Sequence, residues 1–501
     1  MKSASVWIDT GPDQQPLPRL EGHVRADVAV VGGGIVGLTT ALLLAEAGVD
    51  VVLLEANRLG RGVSGHTTAK VTSQHGLIYA RLRSKFGSDG ARTYAAANEE
   101  GLAWIADRVE RDGIACDFRR QPAYLYMEQQ SGREKLEREA EAAVEAGLPA
   151  ALLESVPLPY PVAGAVRFDD QAELHATRYL LGLAERIGGA GGRMFEGSRA
   201  LAVSGGSPCT VTTAAGGVSA ERVVLASHYP FLARSLAFAR LHPSRSYAIA
   251  CSIAGASPPG MYINGESPTR SLRTAPLEGR ELLLVGGEGH KTGEGGDTER
   301  RYLSLERFAR AHWQLESVDY RWSTQDNLTV DGVPYVGRLM PRNDRLFMAT
   351  GFAKWGMTGG TAAALLLFDL LLERDNLSAS FFDPNRLTPL AGGPKLIEEN
   401  ARVAFHFFGD RLRKRGDRRL EDLAPGEGDI VRHRGQKVAG HRRDDGTLVA
   451  VSTRCTHLGC QVAWNTAERS WDCPCHGSRF SPEGEVLQGP AVRDLELRLS
   501  P

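Results

Sequence analysis

The hydrophobic pattern changes character twice within the first 60 residues. Positions 1–24 are broken by prolines and polar residues and read as an extended arm. Positions 27–31 form an apolar run, 35–47 place small and apolar residues on one helical face, and 50–55 form a second apolar run. Short apolar runs bounded by turns fit buried strands, and 3.6-residue spacing fits a helix, so this stretch predicts a compact strand–helix–strand unit. Helical spacing returns at 91–112, 132–146, 299–312 and 361–372. Strand-like stretches occupy 193–227, 245–263, 270–274 and 281–286, with a short one at 346–350 before a Gly-rich turn. One site built from the first unit and this late segment requires a second lobe interleaved between them.

The pattern breaks near 385–420, where Pro384, Pro389, Gly392, Gly393 and Pro394 precede a charged run at 410–419. Beyond it, short alternating strands at 429–431, 436–441 and 447–452 are separated by turns such as Asp444-Asp445-Gly446, which reads as a small all-β module. The expected fold class is an α/β lobe with an interleaved α+β lobe, followed by an all-β domain. We place the two-lobed unit at 25–385, with the α/β lobe near 25–90, 150–230 and 325–385 and the second lobe near 91–149 and 231–324. A linker follows at 386–419, in which Val403, Phe407, Phe408 and Leu412 at helical spacing suggest a helix packed on its own protein. The all-β domain spans 420–501.

A chain of 501 residues is long enough for three such units. The 59 basic and 60 acidic side chains leave a net charge of −1, which excludes a broadly basic nucleic-acid coat and a strongly acidic tail protein. The N-terminal residues lack the apolar core of a signal peptide, and no apolar run approaches the ~18 residues of a membrane span. The default expectation is therefore a cytoplasmic chain without a transmembrane segment. Seven cysteines are too few for a disulfide scaffold, yet four of them (Cys455, Cys460, Cys473 and Cys475) crowd into the last tenth, which points first to a metal site. Cys116, Cys209 and Cys251 are scattered and read as ordinary thiols.

Gly32, Gly34 and Gly37 satisfy the G-x-G-x-x-G spacing between the predicted strand and helix. The first glycine permits the tight turn, the second lets the backbone approach a pyrophosphate, and the third lets the helix pack close to the sheet. The helix N-terminus offers free N–H groups to phosphates. Glu55, at the end of the second strand, is placed to accept from ribose hydroxyls and would repel the extra phosphate of NADP.

After Glu55 comes the hydroxyl-rich loop Arg61-Gly62-Val63-Ser64-Gly65-His66-Thr67-Thr68-Ala69-Lys70. With the opening run and the distant segments 331–337 and 349–358, this resembles the flavin oxidoreductases of the D-amino-acid oxidase and sarcosine oxidase type over roughly 25–375. The resemblance implies FAD, with Gly32, Gly34, Gly37 and Glu55 at its ADP half, and Ser64, Thr67 and Thr68 along the pyrophosphate and flavin. Gly351, Trp355, Gly356, Met357 and Thr358 would stand at the ring. No cysteine lies within 351–360, so the expected FAD is non-covalent. Sarcosine-oxidase relatives place an oxygen-activating lysine at a position that falls near Gly286 or Gly287, with Lys291 displaced from it, which favours a dehydrogenase over an oxidase. Substrate-facing candidates are Arg245, as a carboxylate anchor, with Tyr247, His175, His290 and Lys291.

In the C-terminal module the tight pairs are mixed, Cys455-x-His457 and Cys473-x-x-His476, whereas zinc knuckles usually pair like with like. One sulfur and one imidazole from each pair suits a [2Fe–2S] cluster with two Cys on one iron and two His on the other. The string resembles the Rieske proteins of cytochrome bc complexes over about 420–501. That resemblance implies Cys455 and Cys473 on the inner iron, His457 and His476 on the outer iron, and a disulfide between Cys460 and Cys475. It also implies a cluster-directed hydroxyl at Ser478, a covering loop at Gly489-Pro490, and a potential lowered by Phe480 standing where those proteins carry a tyrosine. The resemblance to amino-acid and sarcosine oxidases implies oxidation of a small amine or amino acid, and a flavin and a one-electron cluster on one chain imply electrons leaving singly to an external acceptor. The alternative is an electron-transfer module reduced by NAD(P)H or a partner flavoprotein and feeding an oxygenase or quinone, although the chain carries a single G-x-G-x-x-G unit.

Overall fold

The computed structural model describes residues 1–232, 237–294, 296–386, 393, 395–403 and 418–499. The N-terminal glycine motif sits where expected, between strand Gly22–Val31 and helix Ile35–Glu46, with strand Val51–Leu54 returning parallel to the first. Gly22–Val31 also pairs parallel with Gly216–Leu225, which pairs parallel with Asn343–Thr350. These strands are almost wholly apolar at their centres because helices cover the sheet. Helix Gly356–Leu371 packs against both Ile35–Glu46 and the long helix Tyr79–Asp112. The closest approach is at Gly101, where a Cβ would stand 2.6 Å from the Thr358 carbonyl oxygen. The N-terminus of Tyr79–Asp112 is capped from another helix: the buried Glu139 carboxylate accepts from the N–H groups of Ile78, Tyr79 and Ala80.

The second lobe is an eight-stranded sheet in the order Leu315–Thr329, Leu241–Ile253, Arg280–Lys291, Arg270–Leu277, Met261–Asn264, Ala123–Met127, Gly164–Phe168, Ala150–Leu153. This shifts three of the sequence-derived lobe boundaries. Strands Ala150–Leu153 and Gly164–Phe168 belong to the second lobe, because they extend its sheet by antiparallel pairing to Ala123–Met127. Strand Leu315–Thr329 pairs along its length with Leu241–Ile253, so the chain returns to the nucleotide lobe after Thr329. The 91–112 helix packs on the nucleotide-lobe helix Gly356–Leu371 as well as on Arg133–Glu145. The N-terminal arm is also more ordered than an extended segment: Val6–Asp9 is a short helix whose Trp7 is buried and donates to the Thr67 carbonyl at 2.6 Å.

The C-terminal module contains two four-stranded sheets among the described residues. One runs Gly428–His433, Gln436–Arg442, Leu448–Val451, Leu497–Leu499; the other runs Ala463–Asn465, Ser470–Asp472, Arg479–Phe480, Val486–Gln488. It has its own cores, around Trp471 and Phe480 and around Leu420 and Val438. In the linker, 395–403 is helical, while the expected helix positions Phe407, Phe408 and Leu412 lie outside the described residues. Among the described residues, no helix is long and apolar enough to cross a membrane.

Candidate functional site

A cavity of about 600 Å³ opens between the two lobes and runs from the glycine motif to the second-lobe sheet. At its nucleotide end, Gly32, Gly33 and Gly34 form one wall. A Cβ on Gly34 would meet Ser64 Oγ at 3.0 Å, and one on Gly37 would stand 1.8 Å from the Gly32 carbonyl oxygen. Gly34 thus leaves the cradle open, while Gly37 acts from behind it by letting the helix pack against the turn. The Glu55 carboxylate accepts from the Gly33 and Asn57 N–H groups at 2.7 and 2.8 Å, and burial raises its pKa against those two bonds. Ser64 Oγ accepts from Ile35 N–H at the start of the helix. The open glycine backbone, the helix N-terminus and the acidic side chain fit the ADP half of FAD.

Ser64, Thr67 and Thr68 continue the wall, held by Trp7 and by Trp322, whose indole donates to the His66 carbonyl at 2.9 Å. Trp355, Gly356 and Met357 line the far end, with Trp355 stacked on His75 at 4.7 Å between ring centres. His75 is fixed by Tyr94 Oη and the Thr72 carbonyl, each at 2.7 Å, and burial pushes its pKa down to about 3. Two of the expected ring contacts have other work. Thr358 lies outside the cavity wall and donates to the Thr72 carbonyl at 2.8 Å. Gly351 is likewise not on the wall: it packs so closely that a Cβ would stand 2.4 Å from Thr329 Cγ2.

The substrate-side candidates separate. Tyr247 lines the cavity and its hydroxyl pairs with His290 Nε2 at 3.0 Å. Arg245 does not line it. The side chain is fully buried, bonded to Ser323 Oγ and 3.5 Å from Glu468 of the C-terminal module, so its charge is committed to an interface and not to a substrate carboxylate. Lys291 is also off the wall, because its ammonium pairs with Glu399 of the linker helix at 3.0 Å and with Glu294 at 3.7 Å. His175 is structural: Nδ1 accepts from Arg178 N–H at a helix start, and Nε2 pairs with Thr10.

Sequence reasoning missed several wall residues. Arg199 lines the nucleotide end and donates to the Val486 carbonyl of the C-terminal module at 3.0 Å. Asp326 and Lys354 lie at the second-lobe end. From the C-terminal module come Glu468, Arg479 and the loop Leu487, Gln488, Gly489, Pro490, Ala491 and Val492. Gly489-Pro490 was legible as a loop covering the cluster, but no local signal says that it also closes this cavity.

The C-terminal Cys–His residues converge. Cys455 and Cys473 are buried, unbridged and in direct contact, and the thiol of Cys455 is pulled down to about 7, chiefly by its hydrogen bond with Cys473. The rings of His457 and His476 lie 5.0 Å apart, and burial holds both neutral, at about 4 and about 3. Cys460 and Cys475 form a disulfide that joins the two loops. Cys473 lies within 4.8 Å of both bridged sulfurs, but a disulfide supplies no thiolate, so these three do not make a metal-binding sulfur set. Two free thiols and two neutral imidazoles fit the donor set of a Rieske cluster. Ser478 Oγ interacts with Cys455 and accepts from Ala491 N–H.

The two cluster loops face opposite ways. The 473–478 loop is packed into the second lobe: Gln325 donates to the Gly477 carbonyl at 2.8 Å, and a Cβ on Gly293 would stand 2.7 Å from Pro474 N. Gly477 has φ +78°, and a Cβ there would meet Gln325 Nε2 at 2.5 Å and Pro243 Cβ at 2.6 Å, so both conformation and space demand glycine. His476 is 3% exposed. The 455–460 loop points outward, with Thr456 and Leu458 exposed and His457 half-buried between them. Around this seam Arg245, Arg479, Glu468 and Asp472 form a network, with Arg245 and Asp472 buried and the other two partly so, flanked by Tyr302, which donates to Glu468 at 2.8 Å. Burial alone would raise both carboxyls, but the guanidiniums of Arg245 and Arg479 hold Glu468 and Asp472 below the usual carboxylate range.

Comparison with known proteins agrees with both halves of this site. The family profile described as FAD dependent oxidoreductase matches residues 27–370, and that of the Rieske [2Fe-2S] domain matches 417–497. A Bacillus subtilis (strain 168) chain named "Putative Rieske 2Fe-2S iron-sulfur protein YhfW" is 39% identical across 99% of this chain and 97% of its own length. Gamma-glutamylputrescine oxidoreductase of Escherichia coli (strain K12) is 28% identical, over 74% of this chain and 89% of its own. The fold is shared with glycine oxidase from Geobacillus kaustophilus, at TM-score 0.61 and 20% identity over 72% of this chain and 99% of that one.

Proposed function

The chain belongs to the FAD-dependent oxidoreductase family and carries a Rieske [2Fe–2S] domain, and from that premise we propose that it is a dehydrogenase of a small amine or amino acid that delivers electrons singly to an external acceptor. FAD, when bound, supplies a two-electron acceptor, and the cluster supplies a one-electron carrier. The observation that carries the reading is the orientation of the two cluster loops. The loop bearing His476 is sealed against the lobe that walls the flavin cavity, and the loop bearing His457 faces outward beside the exposed Leu458. The chain therefore has an inner face toward the site of substrate oxidation and an outer face open to an acceptor. Gln325, Thr298 and Tyr302 hold that arrangement through bonds to Gly477, Asn465 and Glu468.

Trp355, Trp322 and the 487–492 loop all contribute to the cavity wall, so the reacting region is framed by both lobes and the C-terminal module. The test is anaerobic stopped-flow mixing of the holoprotein with a panel of amines and amino acids, following flavin and cluster absorbance separately. Flavin bleaching followed by cluster reduction is expected. Flavin bleaching with a cluster that stays oxidised would refute the electron route, and bleaching by NADH alone would replace the substrate reading.

A further inference from the structure

We propose that Lys354 is the carboxylate anchor of the substrate pocket, so that the preferred substrate is an amine bearing a carboxylate and not a simple amine; this rests on the amine-oxidising reading above. Lys354 comes from the turn between strand Asn343–Thr350 and helix Gly356–Leu371. Its side chain lines the cavity, and its Nζ stands 3.2 Å from the place a Cβ on Gly289 of strand Arg280–Lys291 would occupy. Any side chain at 289 would displace the amine.

The other cations on the wall have partners or a different place. Lys70 donates to the Tyr262 carbonyl at 2.6 Å and Ser271 Oγ at 2.8 Å. Arg199 is bound to the Val486 carbonyl, and Arg479 to Asp472 and Ser470. Arg61 stands beside the 62–64 loop, at the end that fits a pyrophosphate. Lys354, by contrast, makes no side-chain hydrogen bond and no ion pair within 4.0 Å among the described residues, and its open surface faces the cavity. It is the cation available for an anion at the second-lobe end. Desolvation lowers its pKa, and the charge of Asp326 opposes that.

The backbone shows that this placement is built. Ala353 and Lys354 both have positive φ, +49° and +80°. Each costs a non-glycine residue about 1–2 kcal/mol. Two bonds enforce the turn: Ala353 N–H donates to the Asn327 carbonyl at 3.2 Å, and Lys354 N–H donates to Asp326. Asp326 thus positions the turn without pairing with the ammonium at contact distance. A glycine would suit Lys354's conformation better, so the strain is kept where its side chain meets the cavity.

The test uses holoprotein carrying both cofactors, with acetate and benzoate as probes and acetamide and benzamide as neutral counterparts, read by perturbation of flavin absorbance. Lys354→Gly keeps the left-handed turn and should leave thermal stability equal or higher. It should weaken acetate and benzoate about 10- to 100-fold, the loss of one charge-assisted bond, and leave the amides unchanged. Lys354→Met should show the same selective loss. Carboxylate affinity within twofold of wild type in Lys354→Gly, or an equal loss for amides, would overturn the assignment. Amino acids and simple amines that bleach the flavin equally well in wild type and variant would also overturn it, while the amine-oxidising reading survives. A wild-type flavin that no amine or amino acid bleaches removes that reading and this inference together.

Discussion

Replacing Arg245 should undock the Rieske module without unfolding it. In wild type, Arg245 and Arg479 face Glu468 and Asp472, two cations against one buried and one partly buried carboxylate. Arg245→Met leaves both carboxylates to Arg479 alone. Removing one member of a buried charge set costs about 3–5 kcal/mol, because the remaining charge stays desolvated. The module keeps its own core around Trp471 and Phe480, so the penalty falls on the interface. That is about a 10²- to 4 × 10³-fold shift toward the undocked state. Stopped-flow reduction should show normal flavin bleaching and slow cluster reduction, and hydrogen exchange should rise in Ala463–Asn465 and Ser470–Asp472. The defect should also depend on pH with a definite sign. In wild type the depressed Glu468 and Asp472 stabilise docking above their ordinary range, and that contribution is lost as pH falls through their folded-state values. Without Arg245, burial of Glu468 is less opposed and its pKa rises, so the penalty is greatest at neutral pH and shrinks on acidification. The double variant Arg245→Met/Glu468→Gln should recover most of the loss. Wild-type cluster reduction and exchange in Arg245→Met at pH 7.5, or a defect that deepens on acidification, would refute the reasoning.

Gly37→Ala should abolish FAD retention, since its Cβ would stand 1.8 Å from the Gly32 carbonyl oxygen; the purified variant's flavin-to-protein ratio checks it. Cys460→Ser/Cys475→Ser removes a bridge between residues 15 apart, which contributes about 3 kcal/mol by loop entropy; thermal loss of the cluster's visible absorbance should shift down by several degrees. His75 and His175 are both held neutral by burial, at about 3, so an unfolded chain binds more protons than the native one below pH 6.5. Stability should fall between pH 6.5 and 4 with a slope approaching about 3 kcal/mol per pH unit from these two alone, and His75→Gln should roughly halve that share in denaturant titrations.

What could be read from the sequence was chemistry compressed into short segments. Gly32, Gly34, Gly37 and Glu55 lie on one strand–turn–helix–strand unit, and Cys455, His457, Cys473 and His476 lie on two turns joined by short strands. In both cases the spacing itself fixes the geometry. The lobe boundaries were harder, because strands such as Ala150–Leu153 and Leu315–Thr329 carry no local mark of the sheet they join, and only long-range pairing assigns them. Arg245 and Lys291 were misplaced for a related reason. A basic residue on a strand beside a cavity looks free until its counter-charge is known, and Glu468 lies 223 positions away while Glu399 sits on the linker helix.

Those distant partners decide what the C-terminal module is to this protein. A tethered electron carrier that swings between sites needs a small, polar, easily broken contact with its donor lobe. Here the module contributes Glu468, Arg479 and the 487–492 loop to the wall of the flavin cavity, and takes in return bonds from Arg199, Thr298, Tyr302 and Gln325. Releasing it would remove part of the cavity wall and separate Arg245 from Glu468 in the same motion. Docking and completion of the cavity wall are therefore coupled, and on the function proposed above electrons would leave with the module in place, through the outward loop that carries His457.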